Sequence, residues 1–536
     1  MFLKNHPDYS ALPGARQNTH YAELGIRDIF TSKSPVGAYS KESYKFVFGG
    51  VYWMAGWYCG YYARPMNADC DFAESDKSAG QSGVMPSAPQ NAPFFQQADW
   101  LSFGATTLLA LVVYLFTLAP DVGLDNSGVW STAGAYGGVS SPPGYPLWTL
   151  WAWVFTKLLP FSNIAWRVAV SSAMAGALAC GLIALMVSRG GTAILDQMAD
   201  HQRLMPKKEK WLRAICGYVA GMVFGLNGAF WPQAVIVAVW PLSILLLCLV
   251  LCLLQRWSFQ PELKRYLYAA ALVYGLLLTN SQIEFAFAPA IPFLVMTGNP
   301  KTGRDMFLVA GFLFLAGLGG ICLGHFPSLR GGGGQFFYIL LGVITCLMGI
   351  GLVIKTRQAF SEWKAILICS GLFLLGLAVY FYPPIASMTN PPVNWGYPRT
   401  VEGFFHMVTR GQYERMNPTV GVGLFLGQAR LYFIVAGKEF GWPYLLLCLI
   451  PFYFLHRMAA AERRRMLGLL PAYICLAFLM LAVLNPGLDR QSQDLEKVYF
   501  SASYIVVALW MGYGLIILGA WLARPGKQPQ TAHFPI

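Results

Sequence analysis

Apolar residues run on along most of this chain, without the alternation of a half-buried strand or the narrow stripe of a surface helix. The runs fall near 100–118, 165–187, 212–229, 235–255, 306–323, 335–354, 365–382, 439–455, 466–484 and 498–521. Stretches of about 18 apolar residues or more predict helices that span a membrane. A helix suits lipid because it satisfies its own backbone polar groups. No repeated apolar-polar alternation points to a barrel. The expectation is an all-α, polytopic integral membrane protein with about 10 to 12 spans.

Two apolar segments, 266–279 and 285–297, are too short for a comfortable span and are flanked by basic loops on both sides. They read as a pair that enters and returns, interrupted at Thr279-Asn280-Ser281-Gln282. Broken helices at membrane depth are tolerated where they line a protein cavity. Segment 147–160 is apolar and rich in Trp, and reads as a helix lying in the interface, where Trp is favoured. Segment 127–137 is a shorter candidate of the same kind. The first outer loop, 118–147, thus carries in-plane helices and closes on the corner Pro142-Pro143-Gly144-Tyr145-Pro146.

Residues 1–99 are of a different kind: polar, with turn formers and a Pro/Ser/Ala/Gln linker at about 80–98. Within them 46–63 is uncharged and aromatic, with Gly56-x-x-x-Gly60, a spacing that lets helices approach closely. It reads either as a span or as an interfacial or partner-docking helix, and residues 1–64 are the candidate surface for a protein partner. The expected domains are this extension over 1–99, a transmembrane domain over 100–521 and a tail over 522–536. The N-terminus has no cleavable signal pattern.

Composition agrees, with 56% hydrophobic and only 12% charged residues, against about 25% charged in soluble domains. The net charge of +13 invites a nucleic-acid reading, but its placement argues against one. More than half of the lysines and arginines fall in 188–213, 256–265, 298–305, 355–364, 456–465 and 522–527, which are alternate loops. That is the positive-inside pattern. It places those loops and the C-terminus in the cytoplasm and puts 118–147, 383–430 and 485–497 on the other side. Of the 11 cysteines none forms a CxxC; most lie in apolar spans, and Cys59 and Cys70 are able to pair. The histidines lack metal-ligand spacing, so no metal or cofactor is expected.

Five stretches then resemble a known family in order along the chain. They are PPGYPLWTLWAWVFTKLLPFSNIAWRVAVSSAMAGALACGLIAL from 142, FWPQAVIVAVWPLSILLL at 230–247, GLLLTNSQ at 275–282, NWGYPRTVEGFFHMVTRGQY at 394–413 and DLEKVYFSASYIVVALWMGYGL at 494–515. The family is the multi-pass group of mostly uncharacterised bacterial proteins that includes the eukaryotic transmembrane protein O-mannosyltransferases. The resemblance implies a GT-C-like helical bundle. It implies transfer of a sugar from a polyprenyl-phosphate carrier, with an acid near the end of the first span acting on the acceptor hydroxyl and basic groups holding the lipid phosphate.

The same resemblance exposes departures. Counted back from Pro142-Pro143, the family's Asp-Ser-Gly-Glu falls on Asn126-Ser127-Gly128-Val129. Its histidine before the prolines falls on Ser141, its glutamate near 234–243 on Ala238, and its histidine after Asn280 on Ser281. Asp125, one residue before the expected acid, is the remaining candidate base, or else a helix cap before Ser127. Asp121 reads as a solvated turn residue. Glu284 is an intramembrane acid, and such a group is by default either functional or paired for structural reasons. Arg399, Arg410, Arg415 and Lys497 are candidates to cradle a lipid phosphate, or else ordinary partners of Glu402, Glu414, Asp494 and Glu496. Tyr145, Asn280 and Trp395 complete the candidate set, and Phe404, Phe405 and Tyr413 are aromatics that would line a sugar or prenyl site or simply anchor at the interface.

Two functions follow. One is a non-catalytic relative of the glycosyltransferases, a scaffold or subunit retaining affinity for a polyprenyl lipid. The other is an active glycosyltransferase using Asp125, with a polyprenyl-phosphate sugar as donor. A transporter of the same lipid is a third, more distant reading.

Overall fold

The computed structural model describes residues 93–124, 126–196, 206–324, 332–411, 418–419, 421–489 and 497–523. The chain divides into Met1–Ala88 and Pro89–Ile536. The first unit, with segment 46–63, Cys59 and Cys70, lies outside the described residues. So do Asp125, Tyr413, Glu414, Arg415, Asp494, Glu496 and the tail from 524.

Among the described residues, regular structure is helical throughout, apart from an isolated bridge between Val139 and Asn394. The first helix is α1, Gln97–Phe116, whose N-terminus is closed by a capping box between Gln96 and Asp99. Two short helices follow, α2 at Ser127–Tyr136 and α3 at Pro146–Leu158. Next come α4 at Ile164–Asp196, α5 at Pro206–Gly225 and α6 at Trp240–Phe259. α7, Arg265–Asn280, leads through a 3-10 turn at Gln282–Ala290 into α8, Ile291–Gly298. α9 is Pro300–Cys322, α10 is Gly332–Thr356 and α11 is Trp363–Leu377. Two more short helices, α12 at Tyr382–Met388 and α13 at Val401–Val408, precede α14 at Val422–Phe440. The chain ends on α15 at Ala460–Ile474, α16 at Met480–Leu484 and α17 at Ser501–Leu522.

Among the described residues, eight helices are long and apolar enough to cross a membrane, or up to nine if the bent pair Val422–Phe440 and Trp442–Arg457 is one span. Contacts add elements that fail a length or hydropathy test yet still pass from end to end. α5 begins on Pro-Lys-Lys-Glu-Lys, which lowers its hydropathy. Its start holds Ser102 and Asp99 of α1, while its end at Gly225 accepts the Tyr114 hydroxyl. α7 runs from Lys264, bonded to Glu362, up to Asn280, which bonds Val239 and Ser243 at the opposite end of α6. The 3-10 turn and α8 then come back, bringing Gly298 against Ser258 at the far end of α6. The pair expected to enter and return therefore does so, with its break at Ser281.

The core lies around α4. Its run Ser-Ser-Ala-Met-Ala-Gly-Ala-Leu-Ala-Cys-Gly presents small residues, and α5 answers with Gly217, Gly221 and Gly225. A Cβ on Gly217 or Gly221 would stand 2.5 Å from the carbonyl oxygens of Ala184 or Cys180. Small residues four apart let helix backbones approach in lipid, where packing rather than hydrophobic exclusion drives association. α9, α10 and α11 bury less than a quarter of their apolar stretches, as expected of helices that meet lipid.

Several expected boundaries move. The span expected at 235–255 starts at Trp240, because Pro241 suits the first helical turn and residues 235–239 make a turn instead. The span expected at 439–455 is the segment Trp442–Arg457, entered through a bend of 107° at Gly441, whose φ of +79° favours glycine. The loop expected over 383–430 contains α12, α13 and the start of α14. α14 stays at one end of the bundle: Gln428 reaches Asn485, Tyr432 reaches Ser503, and Phe440 packs on Tyr504.

The basic loops converge at one end of the bundle. Arg213 meets Asp99, Gly298 meets Ser258, Lys264 meets Glu362, Arg304 meets Ser361, and Arg465 reaches the Ser258 carbonyl. The loop from 118 and the segment from 390 gather at the other end, called here the mouth.

Candidate functional site

The mouth is built by the first loop closing over the segment after α12. Val139 donates its amide to the Val393 carbonyl, and Trp395 donates to the Val139 carbonyl. The Tyr382 hydroxyl donates to the Gly137 carbonyl at 2.6 Å. Gly138 permits this pairing, since a Cβ there would stand 2.5 Å from the Val393 oxygen. At the corner, the peptide between Pro142 and Pro143 is cis, and Gly144 has φ +92° and packs against Met407 of α13. Val139, Ala386 and Met407 form a small apolar cluster beneath, with Phe404 against it.

The loop is tied to the bundle by neutral groups. Tyr145 is buried and edge-on to Trp130, and it starts α3. α3 stays at the mouth: Trp148 donates to the Ala238 carbonyl at 3.0 Å and Trp151 donates to the Ser171 carbonyl. The interfacial helices expected at 127–137 and 147–160 are thus α2 and α3. The Ala238 amide in turn donates to Ser172. Asn280 donates to the Val239 carbonyl at 3.1 Å and to Ser243 at 2.7 Å. Gln282 donates to the Val408 carbonyl and the Tyr380 hydroxyl, joining the broken helix to α13.

Trp395, 40% exposed, and Tyr397 border an open polar bowl of about 480 Å³ with Asn390, Asn394 and Gly396. Arg399 donates to the Asn390 side chain at 2.8 Å and lies over the Tyr397 ring. Arg410 is half-buried at the end of α13 with φ +56°. Lys497 stands at the same end of the bundle but beside α14, lining a small cavity of about 30 Å³ with Gln428, Tyr432 and Phe500. The structure therefore brings Tyr145, Asn280, Trp395, Arg399 and Arg410 to the mouth, and sets Lys497 at the same end in a cavity beside α14.

Glu284 is 3% exposed on the 3-10 turn, and its Oε2 has no hydrogen-bond partner. The structural pairing with an arginine is not found among the described residues. The turn packs against Cys475–Leu479, a π-helical turn that sequence reasoning missed; such bulges are often found at functional sites. Other buried polar atoms here also lack partners: Asn280 Oδ1, Ser281 Oγ, Ser387 Oγ and Asn394 Oδ1. Buried polar groups are nearly always satisfied, so each marks a place where an acceptor or hydroxyl awaits a partner. Nothing in composition signalled them, because they arise from where the break at Ser281 and the Val139–Asn394 bridge fall.

The ionisable positions implied by the resemblance are neutral in place. Asn126 begins α2 with φ +46° and no side-chain cap bond. Ala238 and Ser281 are buried. Asp121 accepts the Val122 amide, as an exposed turn residue does.

A family model described as "Protein O-mannosyl-transferase TMEM260 N-terminal domain" matches residues 127–304. The chain is 34% identical over 134 residues to the Protein O-mannosyl-transferase TMEM260 of Mus musculus, covering 24% of this chain and 18% of that protein. It is 32% identical over 78 residues to the Protein O-mannosyl-transferase tmem260 of Dictyostelium discoideum, covering 14% of this chain and 10% of that protein. The matched stretches thus span less than a fifth of either relative. No solved structure matches the chain. The chain is related to the eukaryotic transmembrane protein O-mannosyltransferases, and it is a polytopic all-α membrane protein. The family model covers the first loop through the start of α9; the resembling motifs at 394–413 and 494–515 lie beyond it.

Proposed function

We propose that this chain is a GT-C-type relative of the glycosyltransferases that keeps a sugar-lipid binding mouth and acts as a non-catalytic scaffold or subunit. The observation that carries the reading is the contrast at the mouth. Its scaffold bonds are made, yet Asn126, Val129, Ser141, Ala238 and Ser281 stand where the chemistry would need ionisable groups. The Ala238 amide and carbonyl are both occupied, by Ser172 and by Trp148. The unpartnered acceptors at Asn280 and Asn394 suit the hydroxyls of a sugar. Arg399 and Arg410 supply charge for the phosphate of a polyprenyl carrier, and Trp395 and Tyr397 supply faces for the sugar or chain.

A second reading keeps the activity named for the relatives: transfer of mannose from a polyprenyl-phosphate donor, with Asp125 as base. The names of both relatives, the first 34% identical over 134 residues, favour it. Labelled mannose supplied on a polyprenyl phosphate separates the two. Donor-dependent transfer by the wild-type chain that disappears in Asp125→Asn overturns the scaffold reading; donor binding without transfer sustains it. A partner released by deleting residues 1–64 would further support the scaffold.

Orientation belongs to the same proposal. The positive-inside rule puts the basic end in the cytoplasm, so α17, which starts at the mouth and ends beside Leu212, delivers the C-terminus there. A bacterial plasma membrane is proposed from the resemblance to a family of mostly bacterial proteins, while both relatives named above are eukaryotic.

A further inference from the structure

The 3-10 turn at Gln282–Ala290 carries an acid into the bundle. Three residues make one turn of such a helix, so Glu284, Phe287 and Ala290 share a face. All three are buried, while the adjacent Phe285 is 66% exposed. Glu284 thus belongs to the inner face, just inward of the break at Ser281. Its backbone carbonyl accepts the Tyr274 hydroxyl at 3.2 Å, but its carboxyl Oε2 has no hydrogen-bond partner.

The elements packed on the turn supply no countercharge. α7 presents Tyr274, whose hydroxyl is already given to the Glu284 carbonyl. The π-helical turn presents Cys475, beside Tyr274. α8 carries no titratable residue. α15 holds Glu462, Arg463, Arg464 and Arg465 at its start, at the basic end, and Tyr473 against Phe478 and Trp510. α13, joined through Gln282, ends at Arg410, a neighbour of Tyr380. Among the described residues no cation forms an ion pair with Glu284. A buried carboxylate without a partner is far more costly than the neutral acid, so the group holds its proton.

The same turn supports the mouth. Two residues before Glu284, Gln282 donates to the Val408 carbonyl at 2.8 Å and to the Tyr380 hydroxyl at 3.1 Å. Tyr380 in turn donates to the Leu278 carbonyl. These bonds hold the end of α13, whose Met407 packs against Gly144 of the corner. A carboxylate at Glu284 would draw water or a cation to the inner face, and the turn must shift to admit either. Hydrogen bonds of a 3-10 helix have poorer geometry than those of an α-helix, so this turn yields before α7 and α8 do, and Gln282 leaves Val408 with it.

We propose that Glu284 is a proton-binding site within the bundle, and that its proton keeps the turn closed and α13 docked at the mouth. The ligand is the proton itself, and the site is independent of any sugar chemistry.

The test treats the full chain in detergent with dicyclohexylcarbodiimide, an apolar reagent that adds to protonated carboxyls. The acid O–H adds across one C=N bond and the adduct rearranges to an N-acylurea, so the whole reagent is retained and nothing leaves. Peptide mass spectrometry locates the label. At about pH 7.5, Glu284 should carry at least about tenfold more reagent than Glu262, an exposed acid. Equal labelling of the two, or no label on Glu284, overturns the proposal. Amide exchange of α13 is then followed from about pH 6 to 9, each amide against its intrinsic rate. Protection at 404–410 should fall at least about tenfold in the wild type as the proton leaves, and stay level in Glu284→Gln, which has no proton to lose. Protection that falls in both alike, or in neither, overturns the proposal. If the variant does not purify, the wild type decides alone. Labelling of Glu284 and protection of α13 must then fall over the same pH interval, and any other outcome sinks the site.

Discussion

The two ends of the bundle are held by different chemistry. At the mouth the ties are neutral: Trp148 to Ala238, Asn280 to Ser243, Gln282 to Val408, Tyr382 to Gly137. At the basic end they are charged: Asp99 with Arg213, Arg304 with Asp305, Lys264 with Glu362, Glu462 with Arg465. Neutral pairs cost less to desolvate. Charged pairs are costly to bury but penalise any loosening heavily once formed. The difference teaches that this chain ties its helices with charges where the basic loops leave the bundle, and ties the mouth with neutral groups while Arg399 and Arg410 stand there as charges.

The sharpest way to break the comparison is to remove one charge from the basic end. Arg304 and Asp305 are both fully buried; Arg304 also donates to Thr356 and Ser361, and Asp305 accepts the Glu362 amide. Asp305→Ala strands a guanidinium and should cost about 3–5 kcal/mol, read as thermal or denaturant unfolding of the purified chain in detergent. A cost below about 1 kcal/mol would mean that this end is not held by its charges.

A neutral tie at the mouth should matter less. Asn280→Ala leaves Ser243 and the Val239 carbonyl with a lost partner, for about 1–3 kcal/mol in the same assay. If Asn280→Ala equals or exceeds Asp305→Ala, the contrast between the ends fails.

Gly138→Ala probes the mouth locally. The added Cβ meets the Val393 oxygen, so the pairing of Val139 with Val393 and Trp395 should open. Amide exchange at Val139 and Trp395 should quicken about tenfold, equivalent to about 1.4 kcal/mol, while the unfolding midpoint barely moves. Exchange unchanged at both amides would show the loop to be held elsewhere.

How much of this was legible in the sequence follows from what kind of signal each feature leaves. Hydropathy runs and alternate basic loops mark helices and ends directly, so the order of crossings and the return at Ser281 could be read. Gly441 signals a bend, but α14 reaches the length and apolarity of a span only together with Trp442–Arg457, and it is the bonds of Gln428 to Asn485 and the packing of Phe440 on Tyr504 that keep it at the mouth. Tyr145, Trp395 and Arg399 could be named as candidates only because their motifs resemble a family's, and the fold sets all three at the mouth. The setting of Glu284 was not readable, because the π-helical turn at Cys475–Leu479 that packs on its own turn is far away in sequence and leaves no mark in hydropathy.

The smallest expected effect lies at the rim of the basic end, where the charged side of the comparison should fade with exposure. Lys264 bonds Glu362 at 2.7 Å, with its side chain 41% exposed. That bond raises the Lys264 pKa above its ordinary value of 10.5. A lysine raised on folding contributes its full stability below the unfolded pKa and loses it as pH rises through the folded value. From pH 6 to 8 the contribution is therefore constant, and water and salt screen it. Lys264→Gln should cost under about 1 kcal/mol, with the difference from wild type shrinking above about pH 10 and in high salt. A loss as large as that of Asp305→Ala, or one growing with pH, would mean that burial does not govern how strongly charges hold this end.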